Sequence, residues 1–135
     1  MTQLVYDAGA LIAAERNDPR LWAIHLRALM RGVEPSVPAA VLAQVWRGHK
    51  QRDLRRLVDG CEVVPLTQDL ATRVGELLAV ADRADVVDAQ VVACCFESAA
   101  TCVTSDQGDI AHLAEAARTG AWRGNTRWKV PIISL

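Results

Sequence analysis

Four aspartates, Asp7, Asp88, Asp106 and Asp109, stand where a strand should end or a helix should begin. Two follow short apolar runs: Leu4-Val5-Tyr6 leads into Asp7, and Cys102-Val103-Thr104-Ser105 leads into Asp106. If strand and helix alternate between them, all four carboxylates face one edge of one sheet. Acids gathered so closely repel one another unless a divalent cation neutralises them, and hard cations take oxygen ligands. The pattern points to a metal-dependent site. Each acid also has a purely structural use, because Asp is a preferred helix N-cap and first-turn acids complement the helix dipole. Asp85-x-x-Asp88 and Asp106-x-x-Asp109 both resemble capping boxes with Asp in place of Glu, and Asp85 is assigned to capping. Capping alone would scatter acids over several ends. Here both strand-end acids and both D-x-x-D turns converge on one rim, and that convergence favours the metal.

The elements that must position these acids are legible as an alternation. After Leu4-Val5-Tyr6, residues Ala10, Leu11, Ala13 and Ala14 favour a helix, and a second helical pattern runs from Leu21 to Arg31-Gly32, a C-cap signal. A short strand is expected at 35–37, then a helix from Ala39 to Trp46, a strand at Cys61 to Val64, and an amphipathic helix from Leu70 to Ala81. Asp85 to Ala99 is apolar almost all round, and its length predicts a buried helix despite the valines. Thr101 to Thr104 reads as a central strand, Asp106 to Arg118 as a helix, Gly120 to Lys129 as a loop and Val130 to Ile133 as a last strand. Alternation implies parallel pairing, right-handed crossovers and a three-layer α/β/α sandwich on a five-stranded parallel sheet. The site then lies beyond the strand carboxyl ends. Gln44, on the second turn of its helix, would hang slightly deeper.

Composition narrows the class. With 135 residues, 51% of them hydrophobic and 23% charged, the chain suits one domain spanning residues 1–135 with one core. A single Phe and a single Tyr make that core aliphatic. No apolar run is long enough to span a bilayer and Met1-Thr2-Gln3 lacks the basic start of a secretory signal, so no membrane association and a cytoplasmic location are expected. Cys61, Cys94, Cys95 and Cys102 have no C-x-x-C spacing and read as reduced core residues. The net charge of -1 hides an uneven distribution. Arg47, Lys50, Arg52, Arg55 and Arg56 face only Asp53, whereas the acids from Asp82 to Asp109 face only Arg83.

Other chemistries that place an aspartate after the first strand fit less well. A haloacid-dehalogenase-type phosphatase needs Asp-x-Asp where the chain has Asp7-Ala8-Gly9, and a receiver needs a lysine after a late strand, whereas Lys129 precedes one. There is no G-x-S-x-G elbow, and His25, His49 and His112 are expected on solvated helix faces, which leaves Ser-His-Asp catalysis unsupported.

Three segments in order carry a resemblance: Val5 to Ile12, Ala84-Asp85-Val86-Val87-Asp88-Ala89, and Thr104-Ser105-Asp106-Gln107-Gly108-Asp109-Ile110. With them the chain resembles the PIN-domain ribonucleases, specifically the VapC-type toxins of bacterial toxin-antitoxin pairs, over nearly its whole length. The resemblance implies strand order 3-2-1-4-5, metal ligation by Asp7, Asp88 and Asp106 with Asp109 assisting, and Mg2+ or Mn2+ as the cofactor. It also implies a homodimer held by a VapB-type antitoxin whose tail covers the site. The departure is Gln44, which stands where the family usually has a glutamate and contributes an amide oxygen without charge. The expected reaction is hydrolysis of RNA phosphodiesters, with Asp7, Asp88 and Asp106 as catalytic residues and Ser105 or Thr104 positioning a phosphate or a water. The alternative is a PIN-like module that binds RNA or protein without cutting. Because an acidic site repels RNA, phosphate contacts are expected from Arg47, Lys50 and Arg52, or from the stretch Trp122 to Lys129, where tryptophans would stack on bases.

Overall fold

In a computed structural model of the chain, residues 2–122 and 128–135 are described. Half of the expected loop from Gly120 to Lys129, and most of the basic stretch from Trp122 to Lys129, falls on 123–127 and so lies outside the described residues.

The chain alternates as expected. Strand β1 (Leu4–Tyr6) is followed by helices α1 (Ala8–Glu15) and α2 (Pro19–Met30), then β2 (Ser36–Pro38), α3 (Ala39–Val45) and α4 (Arg52–Asp59). Next come β3 (Glu62–Val64), α5 (Gln68–Ala81), α6 (Val86–Ser98), β4 (Thr101–Thr104), α7 (Gln107–Ala116) and β5 (Ile132–Ser134). The five strands form one parallel sheet in the order β3-β2-β1-β4-β5. That is the expected three-layer architecture and the expected order. β1 lies at the centre, paired to β2 through Val5 and Ser36 and to β4 through Leu4 and Thr101. All residues of β1, β2 and β4 are buried, as strands covered by helices on both faces must be, whereas the edge strand β3 is largely exposed.

Local chemistry accounts for the boundaries. Asp18 caps α2 by accepting from the Arg20 N–H at 2.9 Å, with Pro19 in the first turn where its missing donor costs nothing. Gly32, at φ +76°, turns the chain out of α2 while the Val33 N–H reaches back to Ala28 O at 2.9 Å. The last strand begins two residues later than the sequence reading placed it, because Pro131 has no N–H for the ladder and contributes only its carbonyl, to Cys102 N at 2.9 Å. The last helical segment is also shorter in its regular part, ending at Ala116 before a π turn over Ala117–Ala121. Helix α4 had no separate place in that reading. Its stripe is only Leu54 and Leu57 among arginines, yet both leucines are fully buried.

His25 corrects the expectation of a solvated histidine. Leu21, His25 and Ala28 recur on the one buried face of α2, so the imidazole is 2% exposed, with Nδ1 3.0 Å from the Tyr6 hydroxyl and Trp22 edge-on at 5.6 Å. Burial, with the Arg56 charge nearby, holds His25 below the usual histidine range, so it is neutral at pH 7. His49 and His112 are exposed as expected. The four cysteines are free, and burial pushes the Cys61 and Cys94 thiols up to about 12, so neither forms thiolate at physiological pH.

One buried polar side chain ties three elements. Gln90 of α6 is 0% exposed; its amide oxygen accepts from Ala40 N–H at 3.0 Å and its amide nitrogen donates to Val64 O at 3.2 Å. The first of these substitutes for a cap, because the N-cap position of α3 is held by Pro38, which has no side-chain acceptor. Replacing Gln90 by Leu leaves both backbone groups without their partner. Urea denaturation of Gln90→Leu is expected to show a stability loss of about 2 kcal/mol with an unchanged m-value.

Candidate metal centre

Asp7 and Asp106 follow the ends of adjacent strands β1 and β4, and a single hydroxyl joins them. Asp7 is 4% exposed. Its Oδ1 accepts from Ala10 N–H at 3.1 Å, capping α1, and its Oδ2 accepts from the Thr104 hydroxyl. The same Thr104 oxygen accepts from the Asp106 N–H at 2.8 Å. Thr104 therefore sets both the Asp7 carboxylate and the Asp106 backbone. Burial raises the Asp7 pKa, the Thr104 and backbone hydrogen bonds oppose that, the Asp106 charge adds to it, and the net direction is up.

Asp88, Asp106 and Asp109 each offer a carboxylate oxygen within 4.8 Å of the others. Their origins are separate: the first turn of α6, the residue after the β4 turn, and the first turn of α7. Asp85 caps α6 by accepting from Asp88 N–H at 3.0 Å, as assigned from sequence. Asp106, although at the N-cap position of α7, makes no capping hydrogen bond through its side chain. Among the described residues none of these three carboxylates accepts a hydrogen bond or meets a cation. Asp88 is pushed up to about 6, first by burial and then by the charges of Asp85, Asp106, Asp7 and Asp109. All-oxygen, anionic and mutually repelling, this donor set fits a hard divalent cation. Asp7 stands beside it, coupled to Asp88 and Asp106 through charge, but it is not one of the tight three.

The remaining residues singled out from sequence have other surroundings. Gln44 is exposed and shares a groove of about 480 Å³ with Ala8, Ile12, Glu15, Val45, Arg47 and Gln51. Arg47 folds back on α3, donating to Ala43 O at 3.3 Å and Trp46 O at 2.7 Å, so its guanidinium closes a helix end. Lys50 and Arg52 are exposed. Ser105 backs onto Gly9: a Cβ at position 9 would lie 2.0 Å from Ser105 Oγ and 2.8 Å from Ser105 N. Only glycine lets the two acid-bearing turns pack this closely. Sequence reasoning passed over Gly9 as part of a turn, and nothing in its neighbours signals the partner a hundred positions away.

The charge balance predicts a trade of stability for binding. Asp88 has a folded pKa above its unfolded value, so its ionisation destabilises the cation-free fold as pH rises through about 6. Cation binding needs the ionised form, so affinity for Mn2+ should rise between about pH 5 and about pH 7. Asp88→Asn is expected to raise the melting temperature of the cation-free protein by a few degrees at about pH 7.5, read by scanning calorimetry, while removing the Mn2+-induced stabilisation.

No curated protein matches the chain in a sequence comparison. The family model described as PIN domain matches residues 4–116, from the first residue of β1 to the last of α7, and takes in Asp7, Asp88, Asp106 and Asp109. By that match, and with a sheet of the order the resemblance implied, the chain belongs to the PIN domain family.

Proposed function

We propose that the protein is a Mg2+- or Mn2+-dependent endoribonuclease of the VapC toxin type, with Asp88, Asp106 and Asp109 holding the cation and Asp7 completing the acidic rim. PIN domains are usually nucleases. The observation that carries the reading is the set of three carboxylates within 4.8 Å of one another that no cation pairs with among the described residues. A bound divalent ion supplies Lewis acidity that activates water and stabilises the leaving oxygen. The protein's part is positioning. Thr104 fixes Asp7 and the Asp106 backbone, Gly9 lets the two turns approach, and Asp85 holds the first turn of α6 on which Asp88 stands. Ser105, exposed beside them, is the residue proposed to meet a phosphate or a water.

RNA is drawn in by cations away from the rim. Lys50, Arg52 and Arg55, exposed on and before α4, form no ion pair among the described residues and supply phosphate contacts, whereas Arg56 is occupied, paired with Asp53 at 3.4 Å and stacked 4.1 Å from the Trp22 ring. The partners proposed are a second copy of the chain and a small VapB-type antitoxin protein. Exposed Leu26, Leu29 and Met30 on α2 offer apolar area for such contacts. No helix among the described residues is long and apolar enough to cross a membrane.

Incubation of a mixed RNA pool with the protein and Mg2+ or Mn2+ is expected to give cleavage that EDTA abolishes and that Asp106→Asn slows about a hundredfold or more. Cleavage that survives both treatments would sink the metal mechanism, and absence of cleavage under every condition would favour a binding module. Gln44→Glu is expected to tighten Mn2+ binding by about threefold to tenfold in titration calorimetry. An unchanged affinity would place Gln44 outside the ligand set.

A further inference from the structure

On the face of the sheet covered by α2, at the amino ends of the strands and so away from the acidic rim, lies a cavity of about 420 Å³. Its floor is apolar, formed by Leu4, Ile24, Ala28, Val33 and Ile133. Arg27 and Arg31, one turn apart on the last part of α2, line it together with Thr2 and Thr101. Neither arginine pairs with an acid among the described residues, although Arg20, earlier on the same helix, is occupied by Ser134 O at 2.8 Å. Like charges at this helical spacing repel unless an anion sits between them. Thr101 adds a hydroxyl to the same wall. It is 7% exposed, yet its hydroxyl has no hydrogen-bond partner among the described residues, whereas the hydroxyl of Thr104 on the same strand has two. Solvent in the cavity reaches that hydroxyl, because among the described residues the buried side-chain polar atom without a partner is Trp122 Nε1, so the Thr101 hydroxyl is open to donate to a bound ligand.

We propose that this cavity binds a small phosphate monoester with an apolar body. Two guanidinium forks match a phosphate head that carries close to two negative charges at neutral pH, and the Thr101 hydroxyl donates a further hydrogen bond. The aliphatic floor takes the organic part, and the volume is of the size that small-molecule pockets have. Among the described residues no aromatic ring lines the cavity, so an ester recognised by base stacking is not selected. The site is distinct from the acidic rim: Leu4 and Thr101 open the two strands whose far ends lead to Asp7 and Asp106.

The test is titration of the isotope-labelled full chain with phenyl phosphate, followed by NMR, with inorganic phosphate and benzyl alcohol as separate head and body probes. Saturable shifts confined to Leu4, Thr101, Val33 and Ile133 are expected with phenyl phosphate, and weaker ones with either fragment. Arg27→Gln with Arg31→Gln is expected to lower the affinity by about tenfold or more, and the isosteric Thr101→Val by about threefold. Circular dichroism checks that each variant is folded, and Mn2+ binding at the acidic rim, which these residues do not touch, should be unchanged. Absence of saturable shifts, or equal affinity in the double arginine variant, overturns the proposal. So does binding of polyanions such as RNA to the arginines with no response to the small ester.

Discussion

Repulsion among carboxylates is the constraint around which the rest of the molecule is arranged. An aliphatic core gains nothing from setting Asp88, Asp106 and Asp109 within 4.8 Å of one another; it tolerates the arrangement because the elements bearing them are fixed by burial elsewhere. β1, β2 and β4 are fully buried, and α6 is packed on nearly every side from Ala89 to Cys95. That packing holds the rim together against its own charge. The rise of Asp88 to about 6 records first the cost of burying a carboxylate and second that of crowding it beside other acids. Local strain of this kind is characteristic of functional sites, where stability elsewhere offsets it.

Much of this was readable before any coordinates. The strand-then-acid pattern at Asp7 and Asp106, the two D-x-x-D turns and the alternation of elements gave the sheet and the convergence of acids, because period and end signals are local properties. Asp85 as a cap was legible for the same reason. What remained hidden depends on contacts between distant residues. Thr104 reads as an ordinary strand threonine until its hydroxyl is seen between Asp7 and Asp106, and Gly9 reads as turn chemistry until Ser105 is found against it. His25 was misjudged because a helix with Leu26, Leu29 and Met30 exposed gives a misleading account of which face is covered. Helix α4 escaped notice because two leucines among many arginines carry little periodic signal.

The polar side chains divide the work among themselves. Gln90 and Arg47 both serve helix ends, one capping the start of α3 from another helix and the other closing its end from its own side chain. Each spares the helix a cap that its sequence lacks, and each removes a polar side chain from the pool available to substrate. Among the basic residues before and on α4, occupation by partners among the described residues thus sorts structural cations from unpaired ones more sharply than position in the chain does.

The Asp7–Thr104 contact spans 97 positions of sequence. During synthesis the first strand emerges early but must wait for β4 before its central place in the sheet is complete. At typical translation rates of about 5–20 residues per second that interval lasts on the order of 5–20 seconds. Until then the acids stand on separate, unassembled stretches of nascent chain. The acidic rim is therefore a late product of biogenesis, and a ribosome bearing a half-made copy carries no assembled cluster of acids.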